Sequence, residues 1–204
     1  MPKPTFLKLA NTKRKGFLHE AYKEFSLHSF EAASITNLVK SLGIAKGSVY
    51  QYFEDKEALY VYLVKDADRQ LQILIDKTCV YNGEGFYEWY TKLLMIEVKF
   101  LLSFPQFALL FQKLTAQSNP NQKKLANDIE DERLTRISAQ LPASLYDSVI
   151  NQIQLVRAPA LIFEMLTKGI NLHNLILEES PVYLDTKELV SVCSTWVEKL
   201  KNGL

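Results

Sequence analysis

The chain of 204 residues is poor in the features that tie a sequence to one chemistry. Its two cysteines, Cys79 and Cys193, stand far apart and form no CxxC pair. They read as small buried residues of a reducing compartment, not as a disulfide or a metal clamp. Three histidines, His19, His28 and His173, include no HExxH and no pair at ligand spacing, so no metal site is expected. GxSxG, a Walker loop and GxGxxG are missing too, and no catalytic residue and no cofactor is assigned. The carboxylate pairs Glu130–Asp131 and Glu178–Glu179 read as solvated helix surface. No apolar run approaches the roughly 18 to 20 residues of a membrane span. The start, "MPKPTFLKLANTKRKG", is basic but lacks the apolar stretch and cleavage site of a secretory signal. These absences point to a cytoplasmic protein that is not an enzyme and needs no membrane.

What is present is helical patterning and an uneven charge. Net charge is only +1, yet residues 1–53 carry eight Lys or Arg against three Asp or Glu. A basic front on a mildly acidic body suggests a polyanion partner for the front alone. Strand signals are nearly missing, and the spacing predicts an all-α chain of nine or ten helices. In "KRKGFLHEAYKEFSLHSF", Phe17, Leu18, Ala21 and Phe25 fall on one helical stripe. Ser34 then reads as an N-cap, Ile35, Leu38, Val39 and Leu42 recur at helical spacing, and Gly43 suits a left-handed C-cap. A short third helix runs from Lys46 to about Phe53, with Val49 and Phe53 inward. Asp55 caps a long helix to about Cys79, and "YNGEG" separates front from body. In the body, Ser103 and Gln106 read as a capping box before an early Pro105. Pro159 interrupts or kinks a long apolar segment. Asp185 and Glu188 cap the last amphipathic helix.

Two short helices joined by a glycine turn are the helix-turn-helix pattern, whose second helix enters the DNA major groove. The outward side of the third helix offers Lys46, Ser48, Tyr50, Gln51 and Tyr52. Lys46 can reach a guanine edge or a phosphate, and Gln51 matches adenine N6 and N7. The hydroxyls of Ser48, Tyr50 and Tyr52 suit phosphate oxygens, as does that of Ser34. Gly47 removes a side chain where backbone could approach DNA closely, and Lys56 is placed for a backbone phosphate. From spacing alone a plain helical hairpin with half-buried tyrosines fits equally well.

"SITNLVKSLGIAKGSVYQYFEDKEAL" closely resembles the DNA-binding signature of the TetR family of bacterial transcriptional regulators. The matching positions are Ser34-Ile35, Leu38, Gly43-Ile44, Lys46 to Tyr50, Tyr52-Phe53 and Lys56 to Leu59. Upstream, Ala21, Phe25 and Phe30 resemble that family's first helix. One departure is Ala45, where the family usually has a capping Ser or Thr, at a cost of about 1 kcal/mol. The resemblance implies a homodimer reading a palindromic operator, with Ser34, Lys46, Gly47, Ser48, Tyr50, Tyr52 and Lys56 on DNA and Gln51 beside them.

By the same resemblance, a three-helix head at 1–55 joins a regulatory bundle at 56–204 through the helix at about 55–79. The bundle would bind a small effector, apolar or aromatic because charges are sparse in "YTKLLMIEVKFLLSFPQFALLFQKL". Candidate wall residues are Trp89, Met95, Phe100, Phe104, Phe111 and Phe163. The last two helices, about 158–177 and 185–202, are expected to pair with their copies, with Leu189, Val192, Trp196 and Leu200 as anchors. The expected activity is repression released by the effector. The competing class is a helical small-molecule carrier or partner-binding protein without sequence-specific DNA binding.

Overall fold

The computed structural model describes residues 1–116, 119–146 and 153–202, and every regular element among them is α-helical. The helices are α1 (Pro4–Leu7), α2 (Asn11–Leu27), α3 (Ile35–Leu42), α4 (Lys46–Tyr52), α5 (Lys56–Thr78), α6 (Phe86–Ser103), α7 (Pro105–Ala116), α8 (Pro120–Gln140), α9 (Ala143–Tyr146), α10 (Ile153–Leu166), α11 (Leu172–Leu177) and α12 (Thr186–Lys201). The excess over nine or ten comes from one-turn pieces such as α1 and α9, too short to carry a periodic apolar signal. No single helix among the described residues is long and apolar enough to cross a membrane.

Local chemistry sets the boundaries. The Ser34 hydroxyl accepts from the Asn37 amide at 3.3 Å, Asp55 from Ala58 at 2.7 Å and Asp185 from Lys187 at 3.1 Å. Each removes one of the orphan amides of a helix start. The expected capping box at Ser103 does not form. Helix α6 runs through Ser103, whose hydroxyl donates to the Lys99 carbonyl at 2.9 Å, four residues back in its own helix.

Helices α1 to α4 and the first turns of α5 enclose a core of Phe6, Phe17, Phe25, Leu38, Val49, Phe53 and Leu59. The remaining helices form the body, with α6 central and packed against α5, α7, α10 and α12. Trp89, Tyr90, Leu93, Leu94 and Val98 of α6 are all buried. Pro159 sits inside α10 and supplies no amide for the Leu155 carbonyl one turn earlier. The buried Tyr90 hydroxyl donates to that carbonyl instead, at 2.9 Å. A side chain of α6 thus repairs the gap in α10. Both cysteines are buried and free, and burial pushes both thiols up to about 11.

Charge is also buried in the body. Arg133 of α8 donates to Glu97 of α6 and, at 3.3 Å, to the Val156 carbonyl of α10. Arg136 donates to Asp68 of α5 at 2.7 Å. One cluster therefore ties four helices together. Burial pushes the Glu97 carboxyl above its ordinary range, with the Arg133 charge opposing the shift. Removing one partner strands the other in low dielectric. We expect Arg133→Met to cost about 3 kcal/mol in denaturant unfolding, and Glu97→Met in the same chain to recover most of that loss.

Candidate nucleic-acid interface and effector cavity

The turn between α3 and α4 is built on Gly43, whose φ of +63° is a left-handed conformation that side chains disfavour. Its amide donates to the Lys40 carbonyl at 3.3 Å, and the Ile44 amide to that of Val39 at 3.1 Å, closing the end of α3. Helix α4 then starts at Ala45 with no side-chain cap, as the alanine requires. Ile35, Leu38 and Val39 from α3 meet Val49 and Phe53 in the shared core. That inward row fixes the outward one, because positions four apart lie on one side of a helix.

On the outward side Lys46, Gly47, Tyr50 and Gln51 are exposed and Ser48 is half-buried. Tyr50 keeps 41% of its surface open, unusual for a large ring with a core beside it. A Cβ added at Gly47 would meet nothing within 4 Å. Nothing inside the chain therefore asks for glycine there, and helix propensity opposes it. Ser34 is half-buried; its oxygen serves as the α3 cap while its hydroxyl proton remains free to donate.

Two residues expected on DNA are held elsewhere. Tyr52 is half-buried, its ring 5.8 Å from Phe6 and 5.6 Å from Phe17, so it is first a core residue of the head. The Lys56 ammonium donates to the carbonyls of Phe30, Glu31 and Ala33 at 2.7, 3.2 and 3.1 Å, with the Phe30 ring 4.6 Å away. Those contacts use all three of its N–H donors. Lys56 is a clamp on the α2–α3 turn, and a phosphate would have to break it. Lys13 and Lys15, exposed in the first turn of α2, carry much of the basic charge of the front and had no assigned role. The run "KRK" was the available signal.

The body contains a cavity of about 700 Å³ between α5, α6, α7, α8, α10 and α12. Of the six expected wall residues, Phe111 and Phe163 line it, together with Leu71, Leu101, Ile129 and Val156. Trp89, Met95, Phe100 and Phe104 do not. Trp89 is fully buried among Tyr81 and Phe86, and Phe104 is 42% exposed over Phe107. Arg133 reaches the wall already engaged by Glu97. Gln112, Thr115, Glu164 and Lys168 also line the cavity and are exposed, which gives an apolar chamber a polar mouth.

The expected dimer anchors divide between the chain's own core and the cavity wall. Leu189 and Leu200 are buried in the chain's own core, where α12 packs on α6. Val192 is half-buried against that core, and Trp196 lines the cavity. Among the described residues, the large apolar side chains left exposed there include Leu161 and Met165 of α10, which also border the cavity, and Val190 of α12. The chain's own core thus takes Leu189 and Leu200 of the apolar stripe of α12, and Val192 and Trp196 are half-buried.

Residues 17–63 match the family model for bacterial regulatory proteins of the tetR family. The chain is 28% identical over 116 residues to the uncharacterized HTH-type transcriptional regulator YdgC of Bacillus subtilis, covering 57% of this chain. It spans 59% of the length of that relative. A TetR family transcriptional regulator from Chloroflexus aurantiacus superposes with a TM-score of 0.74 at 22% identity, over 100% of this chain and 98% of that one. The transcriptional regulator FadR from Bacillus subtilis, in complex with stearoyl-CoA, superposes with a TM-score of 0.62 at 16% identity, over 93% and 98%. At those identities the two structures bear on the fold alone.

Two substitutions test the local reading. Gly47→Ala should stabilise the chain by about 0.5 kcal/mol in thermal unfolding, since the new methyl meets open space. Lys56→Met should lower stability by about 2 kcal/mol, because three carbonyls lose a charged donor.

Proposed function

We propose that this chain, a member of the TetR family of bacterial regulatory proteins, reads duplex DNA with α4 and changes its affinity when an effector fills the body cavity. The observation that carries the reading is the two-sided build of α4. Val49 and Phe53 pin it from within while Lys46, Tyr50 and Gln51 stand exposed on the other side. Donors of that length, on a helix held by a left-handed glycine turn, match the demands of the major groove. Lys46, Tyr50 and Gln51 contact base edges and phosphates, Ser34 and Ser48 donate to phosphate, and Gly47 lets the backbone come close. Tyr52 and Lys56 support these contacts from behind.

The working unit is a homodimer, with a head at residues 1–55 and a body at 56–204. Leu161 and Met165, one turn apart on α10, and Val190 on α12 are the exposed apolar residues that a second copy would cover. A two-fold axis through that face sets two α4 helices on two half-sites, hence a palindromic operator. The sign is repression in the cytoplasm, released by the effector. The cavity, apolar inside and polar at Gln112, Thr115, Glu164 and Lys168, suits an apolar or amphiphilic molecule. Stearoyl-CoA in the FadR structure is a ligand of that general character.

Selection of random duplexes by the purified chain, followed by titration of the winner at several salt concentrations, tests the reading. A palindromic winner is expected, with binding that falls steeply with salt. Lys46→Ala should lower affinity for the winner about tenfold, and Tyr50→Ala should do so without loss of helicity. A chain that binds no duplex at any salt concentration is a carrier, and the proposal fails.

A further inference from the structure

Helix α4 has seven residues, so its last-turn carbonyls form most of its backbone acceptors. Apart from the carbonyl of Val49, which accepts from Phe53 at 2.8 Å, the helix itself supplies no donor to the end of this turn. The missing donors come from residues 3 and 5. The Lys3 ammonium donates to the Tyr50 carbonyl at 2.7 Å, the Thr5 hydroxyl donates to that of Gln51, and the Lys3 amide donates to that of Tyr52 at 2.7 Å. Three consecutive carbonyls, 46 to 49 residues away in sequence, are thus capped by two residues. A cation at a helix C-terminus also meets the negative end of the helix dipole.

The segment that carries these donors is itself anchored. Pro4 opens α1, and Phe6 follows as one of the most deeply buried residues of the head. The Phe6 ring lies 4.9 Å from Phe53, 5.6 Å from Phe17, 5.8 Å from Tyr52 and 5.6 Å from Tyr62. It thereby bridges α2, the end of α4 and α5. The tetR match begins only at residue 17, so α1 stands outside the matched module.

We infer that residues 3–6 are a brace that fixes the C-terminal half of α4, so that Lys3, Thr5 and Phe6 are positioning residues for sequence reading. The inference rests on the DNA-binding proposal above for its consequence, but the brace itself acts in the free chain. Lys3 holds the very carbonyl of Tyr50, the residue whose ring is set outward. Loosening that turn lets Tyr50 and Gln51 wander while Lys46, one turn earlier, stays near the phosphates. Discrimination between sequences would therefore fall further than raw affinity.

The test uses the full chain with Lys3→Met and Thr5→Val together, which remove two caps and leave Phe6 in the core. Amide hydrogen exchange at residues 50–53 should speed up about tenfold, with α2 and α5 unchanged. The ratio of affinities for the selected duplex and a random one should fall about tenfold, with the slope of binding against salt unchanged. Lys3→Arg, which keeps a charged donor, should restore both. Unchanged exchange at residues 50–53 overturns the brace. Uniform weakening on both duplexes, with a salt slope lower by about one, also overturns it and makes Lys3 a phosphate contact. Should the wild-type chain select no duplex, the DNA proposal falls by itself and the exchange measurement alone decides the brace.

Discussion

The joint between head and body turns on one buried phenol. Tyr22 of α2 donates to Asp66 at 2.8 Å and lies 3.1 Å from the Leu63 carbonyl, both on α5, while its ring packs on Phe107 of α7 at 4.5 Å. Burial, then the Asp66 charge, push its ionisation far above the ordinary tyrosine range, so it is a permanent donor. Arg69 and Gln70 also donate to Asp66, which satisfies the carboxylate without a second residue of the head. Helix α2 packs on α7, and the edge of the contact is sealed by His19 with Glu179 at 3.0 Å and Lys23 with the Leu177 carbonyl at 3.3 Å. The head is seated on α7 as well as hung from α5. Because Phe111 and Leu114 of α7 line the cavity, the floor of the head and the wall of the chamber share one helix.

Much of this was legible in the sequence where the physics is local. Ser34, Asp55 and Asp185 cap helices because a short polar side chain reaches an amide two or three residues on. Gly43 marks its turn for a reason contained in its own backbone. Lys56 was not legible, since its acceptors lie 23 to 26 residues upstream and only the folded turn gathers them. Helix α1 was missed because four residues carry no period. Ser103 misled because the capping-box pattern fits any serine followed by a glutamine, and the α6 repeat happened to run one residue further.

The cavity was the least legible part. Aromatic residues that fill a core and those that line a chamber obey the same helical spacing. Trp89 and Phe111 differ only in whether a neighbouring helix closes over them. The same limit applied to α12, whose apolar stripe is real but faces α6. Periodicity reports that a face is buried; it does not report against what.

The Tyr90 contact gives one wall of the chamber a particular mechanical character. A helix that closes all its own backbone bonds resists bending along its whole length, whereas α10 lacks one at Pro159 and borrows the replacement from α6. Pro159 itself borders the cavity. The panel formed by α10 is therefore jointed at mid-height, beside the Tyr90 hydroxyl, the Arg133 bond to Val156 and the Arg157–Glu130 pair that tether it there. Bending of that wall would concentrate at the joint, where one backbone bond is missing, before it reached the turns above and below.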